Sequence, residues 1–237
     1  MVPKYQQVAA QIESDIIDHV YQETNKLLTE DEYAKKYQVS RNTVRKAIEI
    51  LVNKGYVYQV QGSGVFIRTH HNKGYVNLEK LQGVTNDFSD RRVENKLLEF
   101  KQLTADENLA ENMGCKVGTP IYFVKRLRYV DGNPFSIETS YFNKELVIYL
   151  DENIVKKSIY NYLRNDQKLA IGFADRIISA DFLSKEQAEL LGLKENDPAL
   201  VVDNTVCLTN GAIFDYSQSV HHFQHVKLLK VSNMKGS

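Results

Sequence analysis

Arg41 and Arg45 stand one helical turn apart, behind Ser40 and interleaved with Asn42, Thr43 and Lys46. Those residue types in that order suit a nucleic acid. A guanidinium fork matches guanine O6 and N7, while hydroxyls and the free amides of a helix start match phosphate. A second set begins with Arg126 and Arg128 on one side of a strand, followed across a turn by Ser136, Glu138 and Ser140 on one side of the next. Ser158 and Tyr160 stand at the start of a helix, where unpaired amides attract anions. Two arginines, hydroxyls and such amides make a cradle for phosphate or carboxylate. The same spacing equally describes an exposed strand face with Arg–Glu cross-strand pairs.

Other reactive groups lead less far. His70-His71 has no third ligand spaced to join it, and His221, His222 and His225 fall in a segment that reads as a strand. There, residues four apart on one face are separated by about 13 Å and cannot share an ion. Cys115 and Cys207 stand in no Cys-x-x-Cys or Cys/His spacing, which fits ordinary thiols in a reducing compartment. No nucleophile–base pair, metal constellation or phosphate loop is legible, so neither catalysis nor a cofactor is expected.

The elements that must position the first set are local and well signalled. Tyr5, Val8, Ile12 and Ile16, with Ala9, Ile17 and Val20, give an apolar stripe that predicts a helix over roughly residues 4–21. Thr29 and Glu32 form a capping box that opens a short helix carrying Tyr33, Ala34 and Tyr37. After a turn at Gln38-Val39, Ser40 caps a third helix whose Val44, Ala47, Ile48 and Leu51 make one face and which Gly55 stops. VYQVQGSGVFI then reads as a hairpin turning at Gly62-Ser63-Gly64. Helix, short helix, turn, helix and hairpin is the order of a winged helix-turn-helix. The charge distribution agrees. Residues 1–34 carry two lysines against seven carboxylates, whereas residues 35–69 carry seven basic residues against Glu49 alone, inside a chain of net charge zero.

At 237 residues the chain predicts two domains: a winged helix-turn-helix over 1–69, a polar linker over 70–88, and a second domain over 89–237. No apolar stretch approaches the roughly 18 residues of a spanning helix, and MVPKYQQ lacks a signal core, so a cytoplasmic protein is expected. The second domain contains a weak repeat at an offset of 78 to 80 residues. In each copy Thr104 or Ser184 opens a helix ending at Gly114 or Gly192. Pro120 or Pro198 then leads a long strand, and Asp131-Gly132 or Asn210-Gly211 turns it back. With Val93–Leu103 and Leu169–Phe182 as further strands and Asn153–Asn165 as a helix, the class is α+β with a mainly antiparallel sheet.

KYQQVAAQI, LLTEDEYAKKYQVSRNTVRKAIEILVNKGYV and QGSGVFI together resemble the DNA-binding domain of the GntR family. The resemblance implies that Arg41, Thr43 and Arg45, with Thr29, Ser40, Asn42, Lys46 and the wing Gln61-Gly62-Ser63-Gly64, face operator DNA. Leu28 replaces a usual proline, and Asp31 stands where many members place a DNA-contacting arginine. The remainder is similar to the UTRA domain of the HutC subfamily, which is akin in fold to chorismate lyase. That similarity implies that Arg126, Arg128, Ser158 and Tyr160 hold the phosphate of a phosphosugar, and that Glu138 and Asp215 hold its hydroxyls. His222 and Gln224 lie where an arginine and an acidic residue are usual. A homodimeric repressor acting at a pseudo-palindromic operator, with carbohydrate metabolism as its field and no membrane partner, is the resulting expectation. The alternatives are an amino-acid or organic-acid effector, or an enzyme of lyase-like fold.

Overall fold

A computed structural model describes residues 3–17, 20, 21, 23–68, 75–78, 88 and 91–230. The chain divides into two compact units, Met1–Asn72 with Lys230–Ser237, and Lys73–Leu229.

The first unit contains α1 (Lys4–Ile17), α2 (Glu30–Tyr37) and α3 (Arg41–Asn53), followed by β1 (Val57–Val60) and β2 (Gly64–Ile67). Its core is the set of apolar positions at helical spacing: Val8, Ala9 and Ile12 of α1 pack with Val44, Ala47, Ile48 and Leu51 of α3. Tyr33 of α2 is fully buried, and its hydroxyl donates to that of Tyr21 at 2.9 Å. The capping box at Thr29 and Glu32 is formed, Ser40 accepts from the Thr43 amide, and Gln38 makes the turn by adopting a left-handed conformation at φ 52°. The first helix is shorter than its stripe suggests. The Val20 amide closes on the Asp15 carbonyl, one residue beyond the helical pattern, and leaves Val20 63% exposed. In the hairpin, Val60 pairs with Gly64, so the turn proper is Gln61-Gly62-Ser63. The turn demands φ of 75° at Gly62 and 119° at Gly64. Asn25 and Leu27 add backbone hydrogen bonds to Ile67 and Val65, a third rung beside the wing.

The second unit is built on a six-stranded, wholly antiparallel sheet. Preceded by the two-residue β3 (Val76–Asn77), the chain runs through β4 (Val93–Thr104), α4 (Glu107–Met113), β5 (Pro120–Val130) and β6 (Asn133–Asn143). Next come α5 (Glu152–Val155), α6 (Ile159–Asn165), β7 (Ile171–Phe182), α7 (Lys185–Leu191), β8 (Pro198–Leu208), β9 (Ile213–His222) and β10 (Leu228–Leu229). The strand order β4-β5-β6-β9-β8-β7 reads the same from either edge, one copy of the repeat on each side. Thr139 lies opposite Gln218, its counterpart in the second copy, so an approximate two-fold passes between β6 and β9. Helices α4 and α7 cover one face, where Met113, Leu183 and Leu191 are buried. On the other face α5 and α6 pack through Val155, Ile159 and Leu163 on Tyr122, Val124 and Phe142.

In this unit three details differ from the sequence reading. Asp106 rather than Thr104 caps α4, because Thr104 is still in β4 opposite Pro120. The helix expected over Asn153–Asn165 is two helices, since Ser158 takes up a cap conformation and starts α6 afresh. Within the segment read as a linker, Val76–Asn77 pairs in parallel with β10, and Phe88 is buried beside Phe135 and Val226. His70-His71 lies outside the described residues, as do residues 79–87 of that segment.

Candidate functional site

The polar face of α3 is held by the first turn of α2. Arg41 pairs with Asp31, and Arg45 donates from Nε and Nη2 to the two carboxylate oxygens of Glu30 at 3.2 and 3.0 Å. Both guanidiniums remain open to solvent, with side chains 68% and 57% exposed. The Ser40 and Thr43 hydroxyls bond each other at 2.9 Å, while that of Thr29 donates to Glu32 at 2.7 Å. Asn42 and Lys46 are exposed, as are Gln61, Gly62, Ser63 and Gly64 at the wing. Lys46 sits over the Tyr5 ring at 5.9 Å, and Lys26 over Phe66 of the wing at 5.5 Å. The sequence reading had not anticipated the Glu30–Asp31 clamp or the place of Lys26. An acidic first helical turn ordinarily signals only a favourable helix dipole.

In the second unit, strand register brings together the residues that sequence spacing had only put in parallel. Arg126 lies opposite Glu138, and Arg128 opposite Ser136. Both arginines are buried and both donate to Oε2 of Glu138, Arg128 at 3.0 Å. The break between α5 and α6 frees the carbonyls of Val155 and Lys157, and Nη1 of Arg126 takes both, at 2.8 and 3.1 Å. Burial alone would raise the Glu138 pKa, but the Arg126 and then the Arg128 charge outweigh it and hold the carboxyl at about 2. Ser158 caps α6 by accepting from the Asn161 amide at 3.4 Å. Tyr160, two residues on, donates to Asp215 Oδ2 at 2.5 Å. Asp215 is 1% exposed, and burial, opposed by the Tyr160 bond and reinforced by the Glu138 charge, lifts its pKa to about 7.

Of these groups Glu138, Tyr160 and Asp215 border a cavity of about 80 Å³ that Val76 and Leu228 cover, with Ser219, His221 and Arg176 among its other lining residues. Asp215 Oδ1 and His221 Nδ1 are buried without a hydrogen-bond partner among the described residues. Burial, and secondly the Arg128 charge, lower the His221 pKa to about 4, so its ring is neutral. Nη1 of Arg176 donates to the Leu78 carbonyl at 2.8 Å, tying the covering segment to β7. All six expected effector residues therefore gather at one place. His221, Ser217 and Arg176 join them unforeseen. Alternation along β9 from Asp215 marks the first two, whereas only the pairing of β7 with β8 brings in the third. A shallower hollow of about 340 Å³ lies beside Lys125 and Glu186, which pair at 2.6 Å. Lys125 alternates with Arg126 and points away from the cavity face.

The histidines behave differently from a strand ladder. His222 ends β9 and His225 lies in the following turn, where their rings stack at 3.8 Å. Among the described residues no group of three or more His, Cys, Asp or Glu side chains is placed to hold a metal ion. Nor is any described helix long and apolar enough to cross a membrane.

Residues 4–67 match the family described as bacterial regulatory proteins, gntR family, and residues 89–227 match the UTRA domain. The chain belongs to the GntR family. This regulator is 37% identical over 230 residues to the HTH-type transcriptional regulator YydK of Bacillus subtilis, covering 97% of one chain and 98% of the other. With the HTH-type transcriptional repressor NagR of the same organism it shares 30% identity over 222 residues, 93% of this chain and 90% of that one. The crystal structure of YydK superposes with a TM-score of 0.82 at 36% identity, over 98% of this chain and 100% of the other. The effector-binding domain of the B. subtilis trehalose repressor TreR matches 60% of this regulator and 99% of that domain, at 26% identity and a TM-score of 0.55.

Proposed function

We propose that this regulator is a cytoplasmic, dimeric repressor that leaves a pseudo-palindromic operator when a phosphosugar enters the cavity of its UTRA domain. The observation that carries the reading is the convergence of Glu138, Tyr160 and Asp215 on one buried polar pocket, with Arg126 and Arg128 bound to Glu138 behind it and Ser158 capping the helix that carries Tyr160. Cations and hydroxyls would take the phosphate, and the carboxylates the sugar hydroxyls. The names of NagR, a transcriptional repressor, and TreR, a trehalose repressor, support a repressor of carbohydrate genes. Arg41, Arg45 and Thr43 would read the major groove, with Thr29, Ser40, Asn42, Lys46 and residues 61–64 on the flanking backbone. No catalytic step and no cofactor are part of this function.

A ligand pocket is ordinarily on the order of 300–1,000 Å³. A phosphosugar therefore has to lift the cover formed by Val76, Leu78 and Leu228. That cover is continuous in sequence with the DNA-reading unit, which gives effector binding a route to operator affinity. Dimerisation through the UTRA domain is favoured by β7, an edge strand on which Phe173, Ile177 and Phe182 are 51%, 68% and 69% exposed.

Gel-shift titration of the full chain on a selected operator, against panels of sugar phosphates and of amino and organic acids, tests the proposal. Release by a sugar phosphate alone is expected. Release by organic acids alone would transfer the arginines to a carboxylate ligand, and a monomeric mass at micromolar concentration would remove the dimer.

A further inference from the structure

Glu138 occupies the position an anionic ligand needs. Its Oε2 accepts from both Arg126 and Arg128, and it lines the cavity whereas neither arginine is among the lining residues. The carboxylate thus stands between the open space and the two guanidiniums. Arg126 is further tied to the carbonyls of Val155 and Lys157, which fixes its plane while its buried Nε–H has no hydrogen-bond partner among the described residues. This is a preorganised anion site already filled by the protein's own anion.

We infer that Glu138 is a tethered competitor: a ligand with a tetrahedral dianionic group must displace its carboxylate from Arg126 and Arg128 before those arginines can hold the ligand. The inference rests on the proposed phosphosugar site and specifies its regulation. Two consequences follow from the exchange. The site discriminates by charge, because a neutral sugar cannot outbid a carboxylate that makes two charge-assisted bonds. The displaced carboxylate is then released into the cavity beside Ser219 and His221, where it can accept hydrogen bonds from hydroxyl groups of the same ligand. One residue thereby excludes the wrong ligand and receives the right one.

The test uses sulfate, a tetrahedral dianion with no hydroxyl groups and no titration near neutrality. Calorimetric titration of the full-length regulator at constant ionic strength compares the parent with Glu138→Gln. Removing one partner of a buried pair leaves its cations uncompensated. The variant is therefore expected to bind sulfate about tenfold more tightly than the parent, with the gain abolished by adding Arg126→Ala. Sulfate affinity unchanged or weakened in Glu138→Gln, or a gain that survives without Arg126, would overturn the inference.

A second measurement needs no variant. A crystal structure of the parent in concentrated sulfate should show the anion on Arg126 and Arg128 with the Glu138 carboxylate turned away, and both bonds to Glu138 intact beside a bound sulfate would refute the exchange. The two proposals fail separately. If sulfate behaves as expected but no sugar phosphate releases the operator, the anion site stands and the effector reading falls. If sugar phosphates release the operator while Glu138→Gln gains nothing, the reverse holds.

Discussion

Two arginine pairs in this regulator are bound by carboxylates, and their surroundings give them opposite characters. On α3, Arg41 and Arg45 keep 68% and 57% of their side chains in solvent while paired with Asp31 and Glu30. On β5, Arg126 and Arg128 keep 6% and 5% while paired with Glu138. Exposed pairs contribute about 0–1 kcal/mol, so a phosphate or a base edge can replace the partner at little cost. Buried pairs are costly to open, because each ion left behind lacks water as well as its partner. The same chemical bond is therefore loosely held in one unit and firmly fixed in the other.

The comparison breaks most visibly at Arg126. Arg126→Ala is expected to abolish operator release, weakening the effector by roughly 1.5–3 kcal/mol, with operator affinity near parental in a gel shift. Normal release would make β5 a structural face. Next in size, Arg41→Ala and Arg45→Ala should each weaken operator binding by about 1–3 kcal/mol, the value of one bidentate or charged contact. Parental binding by both variants would remove α3 as the reader.

A pH series sharpens the buried side. The Asp215 pKa is raised to about 7, so the folded state holds a proton that the unfolded state loses, and this group takes stability away as pH rises toward 7. The His221 pKa is lowered to about 4 from 6.5, so the unfolded state binds the extra proton and stability returns as pH rises over that window. In the parent the two slopes oppose each other between about 4 and 6.5. Asp215→Asn should therefore melt higher by several degrees at pH 6.5 than at pH 4.5, relative to the parent's change. His221→Asn should show the opposite trend. Parallel melting curves for all three proteins would mean that neither group is held as described.

The smallest effect belongs to the exposed side. Asp31→Asn frees Arg41 and is expected to tighten binding to non-specific DNA by no more than about 1 kcal/mol, the size of an exposed pair. A larger gain would place Asp31 in the DNA interface itself.

How far each region could be read from sequence follows from the range of its signals. The α2 capping box, the α3 face and the hairpin glycines depend on residues within one or two turns of one another, and each lies where expected. The Asp131-Gly132 and Asn210-Gly211 turns likewise gave two hairpins, but the pairing of Arg126 with Glu138 depends on a register shift between Arg128 and Tyr129 that the turn residues do not signal. What stayed hidden was decided at a distance. The α5–α6 break is informative only because Arg126, on another element, collects the carbonyls it frees. Arg176 joins Asp215 in the cavity only through the lateral pairing of β7 with β8 and of β8 with β9, and the Asp31–Arg41 clamp joins two helices that spacing alone cannot orient.

The near two-fold of the sheet has one further consequence. In the aligned copies, Asn204 and Val206 occupy the positions of Arg126 and Arg128, and Ser217 that of Glu138. Glu138, Asn204, Val206 and Ser217 all border the same cavity. A symmetric frame has thus been given unlike halves: a carboxylate paired with two guanidiniums on the β5–β6 side, and an amide, a hydroxyl and the Asp215 carboxyl of raised pKa on the β8–β9 side. A molecule lying across the axis would meet unlike partners on its two sides, so turning it end for end would exchange a carboxylate backed by two guanidiniums for an amide, a hydroxyl and a carboxyl of raised pKa. Geometry offers two orientations; polarity tells them apart.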